Sequence, residues 1–395
     1  MGTPGSGWQI NVPVESARQV VYGRVAMRVK NKLTKRLAAV ALGLLIPLML
    51  TELLVRFGPW QVPDAVRRSI DIKGGGHVQG HERLRYAMRP GLDVEQSCND
   101  LSIYGLRTTS IGEPAIGIRG GDCGGKPFGV MVGDSFTMGV GVEEPATLTA
   151  GLERSTGRCF LNFGLGGYGP QQARIMLEQY GLSFQPEVVI WAFFGNDLAD
   201  AVGFAQWEAN GSPVPPITEG SVGGWRNTHW ATYKLWRYLS QFHSSRREHW
   251  VDDAKDVEYV FTYDMMAELD VTSESVQEGM SLLRAELERF VALAESNDFS
   301  PVLILLPFKE QVYEQELREV ARRELGELDL WQSYKDVAEL GVSLGIPTLD
   351  LTPVLQAARD RQIYLVTDPH LSPEGNRIVA DAISAFLAGE GLVSG

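Results

Sequence analysis

The sequence predicts an α/β domain built on a parallel β-sheet with helices on both faces, preceded by one N-terminal transmembrane helix. Three observations carry this expectation. Short apolar runs recur at Phe128–Val132, Cys159–Phe163, Glu187–Phe194, Pro301–Pro307 and Ile346–Asp350. Runs of this length, bounded by Gly, Pro or Asn, suit strands buried on both faces. Helical patterns separate them, and such alternation builds parallel sheets. The third observation is the 19-residue apolar stretch Leu37–Val55, about 28 Å long as a helix and just enough to cross a bilayer.

Residues 1–36 begin with Gly, Pro and Ser and end in a basic run, Arg24, Arg28, Lys30, Lys32, Lys35 and Arg36. This tail carries about +6 of a chain whose net charge is −13, leaving about −19 on the rest. A body that acidic excludes nucleic acid as the expected partner. The one-sided basic flank favours a membrane anchor at 37–56 over a buried core helix, and it places the N-terminus in the cytoplasm with the remainder outside. The long preceding tail and the lack of a small-x-small site disfavour a cleaved signal peptide. Pro47 is tolerable in a membrane helix, and Glu52 lies near the far end, where a charge costs least.

Residues 57–127 are rich in Gly, Pro and Arg and read as a linker and lead-in, with one alternating strand at Asn99–Gly105. The main domain follows over residues 128–390. Helices are expected at Pro145–Thr156, Gln171–Gly181 and Val276–Ser296. An insert at about 200–300 holds Trp207, Trp225, Trp230, Trp236 and Trp250, five of the nine tryptophans. Packing of a helical subdomain accounts for them most simply; the alternatives are a lid or a platform for sugar rings.

The three cysteines show no zinc-binding spacing, and no metal or cofactor is expected. Cys98 and Cys123 can close a surface loop in an oxidising compartment, while Cys159, at the start of an apolar strand, reads as a buried free thiol. His77, His81, His229, His243 and His249 fall in the lead-in or the insert and read as ordinary surface residues.

Four blocks fall where strands should end: Gly133-Asp134-Ser135; Asn162-Phe-Gly-Leu-Gly-Gly167; Gly195-Asn196-Asp197; and Asp368-Pro369-His370-Leu-Ser-Pro-Glu-Gly375. The carboxyl edge of a parallel sheet is where ligands bind, and a serine there becomes a nucleophile if a base and an oxyanion site are near. Position 137 is Thr, so Ser135 is not in a G-x-S-x-G elbow. Taken together and in this order, the blocks resemble the SGNH (GDSL-type) hydrolase family, most of all its membrane-anchored bacterial members, over about residues 125–390.

The resemblance implies a flavodoxin-like, three-layer α/β/α sandwich. It implies Ser135 as nucleophile, His370 as base, and an oxyanion hole made by the backbone N–H groups of Ser135 and Gly167 and the side-chain amide of Asn196. The family's acid usually lies three residues before the histidine, where this chain has Thr367. Asp368, two before it, is the expected orienting acid, with Asp350 as an outside candidate. The implied activity is a serine esterase that cleaves carboxylic esters through an acyl-Ser135 intermediate; the anchor and the tryptophans add O-acyl groups, O-acetyl among them, on cell-envelope glycans as the expected substrate class. An O-acyltransferase using the same residues and a non-catalytic glycan-binding or scaffold protein are the alternatives.

Overall fold

The structure, a computed structural model, describes residues 14–58, 62–63, 66, 76–98, 102–121, 123–214, 230–243, 246–321 and 329–393. Two compact units divide the chain at residue 61. The first holds a helix from Val14 to Phe57 that carries Pro47 without a break. Its Thr34–Phe57 portion contains an 18-residue window of mean hydropathy 2.3 and is, among the described residues, the one helix long and apolar enough to span a membrane. Glu52 is neutralised by an ion pair to Arg56 at 2.7 Å, which lowers the cost of a carboxylate near the end of an apolar segment.

The second unit is a mixed α/β domain. Its chain begins with a hairpin, β1 (Val78–His81) and β2 (Arg85–Met88). Next come β3 (Asp93–Ser97), β4 (Ile103–Ile111), β5 (Ile116–Arg119), β6 (Gly129–Val132), β7 (Phe160–Asn162) and β8 (Val188–Phe194). A second hairpin, β9 (Arg247–Asp252) and β10 (Val257–Thr262), precedes β11 (Ser300–Leu306) and β12 (Thr348–Asp350). The large sheet has the order β12-β11-β8-β6-β7-β5-β4-β3.

Five neighbours in it, β12 to β7, run parallel. All seven residues of β8 and all four of β6 are buried. That requires cover on both faces, and each large apolar side chain so buried contributes about 1.5–3 kcal/mol. Helices Leu148–Thr156 and Pro373–Gly389 pack on one another, and Pro170–Met176, Asp197–Ala209 and Glu274–Asn297 form a second group. The helix expected over Gln171–Gly181 changes at Leu177 into a π-helical turn.

The lead-in is where sequence and structure part. Far from being a linker with one strand, it supplies the antiparallel strands β3, β4 and β5 to the main sheet, β5 pairing with β7 through Arg119 and Asn162. Of the strand expected at Asn99–Gly105, residues 99–101 lie outside the described residues, and β4 runs on to Ile111. Short edge strands such as Asp93–Ser97, with alternating half-exposed positions, carry no apolar run to mark them.

The cysteine pairing also differs. Cys123 and Cys159 form the disulfide, with Cα atoms 5.7 Å apart, and Cys98 stays outside it, its thiol directed at Ser102 O. Phe128 N and Gly129 N both donate to Cys159 O, so the strand ladder brings the Cys123 segment to Cys159. The bridge closes a 36-residue separation, and a loop of that length predicts a loss of about 3–4 kcal/mol on replacing both cysteines by alanine. Urea unfolding should show it as a lower midpoint; wild-type stability indifferent to reductant would contradict it.

Within the insert, Trp207 is buried and donates to Pro213 O at 3.1 Å, and Trp250 packs against Tyr313. Trp236 is 61% exposed. Trp225 lies outside the described residues.

Candidate active site

From the chain order of the parallel strands, β6, β7, β8, β11 and β12 stand as 2-1-3-4-5 across the sheet. The strand order reverses direction beside β6, and crevices form at the carboxyl ends of strands at such a switch point. Ser135 follows β6, the glycine loop follows β7, and Asn196 follows β8. Three of the four blocks therefore reach one edge from three adjacent strands.

Gly133 turns with φ +154°, and a Cβ there would lie 2.9 Å from Ala192 O. Only a residue without a side chain passes that point cleanly. Asp134 then caps the short helix Ser135–Met138 by accepting from Phe136 N at 2.9 Å. The Ser135 hydroxyl donates to Asp134 Oδ2 at 3.2 Å. Burial raises the Asp134 carboxyl, against the weaker pull of the Phe136 N–H, His370 and Ser135.

Beyond this helix the chain is pinned by Arg119. Its buried guanidinium donates to Met138 O at 2.9 Å, Val142 O at 2.6 Å, Gly105 O at 3.1 Å and Gly139 O. It also lies over the Tyr104 ring, 5.1 Å from the centroid. A buried cation is tolerable when backbone carbonyls satisfy it in this way.

The glycine loop is tied to the same helix through Asn162. The Asn162 Nδ2 donates to Thr137 O at 2.7 Å, and its Oδ1 accepts from Gly164 N at 3.1 Å. A Cβ built on Gly166 would lie 3.6 Å from Ser135 Cβ, so this loop flanks the serine. Gly167 has φ +74°, and a Cβ on it would meet the Tyr86 hydroxyl at 2.8 Å.

Asn196 precedes the helix Asp197–Ala209, and its Nδ2 donates to Asp200 Oδ2 at 3.1 Å. One Nδ2 hydrogen is thereby used and a second is left. Asp197, fully buried, accepts from Phe194 N at 3.2 Å. Burial, reinforced by Asp134, holds Asp197 well above the carboxylate range and pushes Asp200 up to about 6. The crevice wall thus does not carry three full negative charges at mildly acidic pH.

The His370 ring packs on Phe136, the residue after Ser135, with centroids 4.9 Å apart. Its Nδ1 meets Asp368 Oδ1 in a close ion-pair contact, and its backbone N–H donates to the same oxygen at 3.2 Å. Burial alone would raise Asp368, which is 1% exposed. The pull and hydrogen bonds of His370, with Lys309 behind them, outweigh burial and hold this carboxyl below its ordinary value. Asp350 is exposed and accepts from Thr352 N at 2.8 Å as a turn cap; it is not the partner of His370.

Three supporting residues were not singled out from sequence: Arg119, Tyr86 and Lys309. The buried Lys309 ammonium donates to Leu365 O at 3.3 Å, Val366 O at 3.1 Å and Asp368 O at 3.2 Å, and so carries the His370 loop. Its place just past a strand end, in Leu-Leu-Pro307-Phe-Lys309, was a usable signal. Tyr86 gave none. His81 is also not a surface residue: it is buried, meets the Tyr180 hydroxyl at 2.9 Å and accepts from Arg83 N and Leu84 N. His229 lies outside the described residues.

Residues 265–394 match the family model described as SGNH hydrolase-like domain, acetyltransferase AlgX. That segment contains Asp368 and His370, while Ser135, Gly167 and Asn196 lie before it. No curated protein matches the chain. Among solved structures, similarity extends to a lipolytic protein of the G-D-S-L family from Desulfitobacterium hafniense DCB-2, at 17% identity and TM-score 0.35, covering 66% of this chain and 98% of that one. The lipase/acylhydrolase from Enterococcus faecalis gives 14%, 0.38, 66% and 95% in the same order. An acetylxylan esterase from Geobacillus stearothermophilus gives 12%, 0.37, 69% and 98%.

Proposed function

We propose that this chain, which carries an SGNH hydrolase-like domain, is a serine esterase acting on O-acyl esters, with O-acetylated cell-envelope glycans as its substrate class. The observation that carries the reading is the approach of His370, already paired to Asp368, to the turn that bears Ser135. In the proposed sequence the Ser135 hydroxyl rotates from Asp134 toward His370 and attacks the ester carbonyl carbon. Nε2 of His370 takes the serine proton and returns it to the departing alcohol. Asp368 fixes the tautomer through Nδ1. The oxygen that becomes negative is met by the N–H groups of Ser135 and Gly167 and the second Nδ2 hydrogen of Asn196. Water then resolves the acyl-Ser135 ester.

Asn196→Ala should lower kcat about 10²–10³-fold with a smaller change in KM, because the missing donor acts on charge that exists only in the transition state. Steady-state kinetics on p-nitrophenyl acetate read this; an unchanged kcat would remove Asn196 from the oxyanion site.

A second reading is acyl transfer, in which a sugar hydroxyl resolves the same intermediate. The acetyltransferase named in the matched family model favours it. Supplying an unacetylated glycan oligosaccharide with p-nitrophenyl acetate to the full-length protein in detergent separates the two. Free acetate as the product supports the esterase, and acetylated oligosaccharide supports transfer. A glycan that binds without any ester turnover would leave only a non-catalytic glycan-binding role.

The proposed location is a membrane anchor with a cytoplasmic N-terminus and an extracytoplasmic, periplasmic or cell-surface catalytic domain. The basic run before the apolar segment supports that orientation, and the Cys123–Cys159 bridge suits an oxidising compartment.

A further inference from the structure

The N-terminal hairpin, which carried no readable function in the sequence, touches the glycine loop at one point of chemical consequence. The Tyr86 hydroxyl lies 3.0 Å from Gly166 O and 3.0 Å from Gly167 O, within donating distance of both. The Gly166 carbonyl and the Gly167 N–H belong to one planar trans peptide and point in opposite directions. Drawing that carbonyl toward Tyr86 turns the N–H to the other side. A hydrogen bond accepted by the carbonyl also polarises the N–H across the same peptide.

We infer that Tyr86 is a positioning residue that fixes the Gly166–Gly167 peptide, so that its N–H faces the reacting carbonyl oxygen. The inference rests on the serine acyl-transfer reading above and adds the hairpin to its machinery.

Tyr86 is itself held in place. Its ring packs on Tyr168 with centroids 5.6 Å apart, and the Tyr168 hydroxyl donates back to Tyr86 O at 2.7 Å. Gln172 bridges the two elements, donating to Leu84 O at 2.9 Å while its Oε1 accepts from Gly169 N at 3.1 Å. His81, at the hairpin's turn and opposite Arg85, anchors it on Tyr180. Burial, followed by Asp200, raises the Tyr86 phenol, so it stays a donor at any working pH. The glycine loop needs this external hold because Gly166 and Gly167 have no side chains of their own to fix the peptide plane.

The test compares full-length wild type with Tyr86→Phe, which removes the hydroxyl and keeps the ring on Tyr168. Two rates are read: kcat and KM on p-nitrophenyl acetate, and the rate at which a fluorophosphonate labels Ser135. Labelling forms the Oγ–P bond, expels fluoride and needs the oxyanion site but no particular ester. Expected is a drop of about ten- to a hundredfold in kcat and in labelling rate, with KM within about twofold and the melting temperature unchanged.

Equal rates in both proteins overturn the inference, as does a raised KM with unchanged kcat, which would make Tyr86 a substrate contact. Tyr168→Phe keeps the Tyr86 hydroxyl and loosens its backbone. If it loses rate as fully as Tyr86→Phe while melting earlier, the effect is hairpin packing and the inference fails. A wild type that labels at Ser135 yet turns over no ester would count against the esterase reading alone, and the labelling rates still decide Tyr86. A wild type that does not label overturns both.

Discussion

Ser135→Ala is expected to lower ester turnover by about 10⁴–10⁶-fold, to the residual level that binding and an oxyanion site alone provide. The substitution removes the atom that forms the covalent bond, and no neighbour can take its place. The nearest oxygen nucleophile on the same turn, Thr137, is buried. The fold should not suffer. The Ser135 hydroxyl donates to Asp134 alone among the described contacts, and Asp134 keeps the Phe136 N–H as its capping partner. Stability within about 1 kcal/mol of wild type is therefore expected. Urea unfolding beside p-nitrophenyl acetate hydrolysis reads both quantities, and an inactive variant that is also unfolded would not count in favour of a catalytic role.

The second large effect is expected at the acid–base pair. Asp368→Asn should cost about 10³–10⁴ in kcat, and His370→Ala as much or more. Asparagine preserves volume, but its NH2 group can donate to Nδ1 of His370. That donation stabilises the tautomer with its proton on Nε2, which cannot accept the serine proton. The wild-type carboxylate enforces the opposite tautomer. Asp368 also contributes to stability with a definite sign. Its carboxyl is held below its ordinary value by His370 and Lys309 against the opposing effect of burial. Its contribution is therefore complete above the unfolded carboxylate range and is lost as the pH falls through the folded value. Wild type should lose stability on acidification through that window, and Asp368→Asn should lose less. Equal acid sensitivity of the two proteins, with kcat preserved in the variant, would remove Asp368 from the pair.

The parts of this molecule that were legible in its sequence are those whose signal is local. Val188–Phe194 announces a strand buried on both faces because every residue in it is apolar. Ser135 and Asn196 stand beside glycines or acids at the ends of such runs, where the sheet exposes backbone to a ligand, whereas His370, marked by Asp368 and Pro369, lies in a loop that no sheet strand directly precedes. What was not legible depends on partners distant in the chain. Asp93–Ser97 becomes a sheet edge through its pairing with Ile103–Arg107, and nothing in Asp-Val-Glu-Gln-Ser states that pairing. Arg119 and Lys309 look like surface cations until the carbonyls of residues 138–142 and 365–368 close around them. Cysteine spacing does not give connectivity, and Cys159 was paired by the strand ladder that brings its carbonyl to Phe128 and Gly129. Asp368, two residues before the histidine instead of three, reaches Nδ1 all the same.

The central claim, a covalent acyl-serine intermediate, is tested most directly by intact mass measurement of the full-length protein quenched in acid during turnover of p-nitrophenyl acetate. The account predicts a population heavier by one acetyl group, located by peptide mapping on Ser135 and absent from Ser135→Ala. An acetyl group carried on another residue, or steady turnover by wild type with no acylated protein at any quench time and undiminished rate in Ser135→Ala, would contradict it.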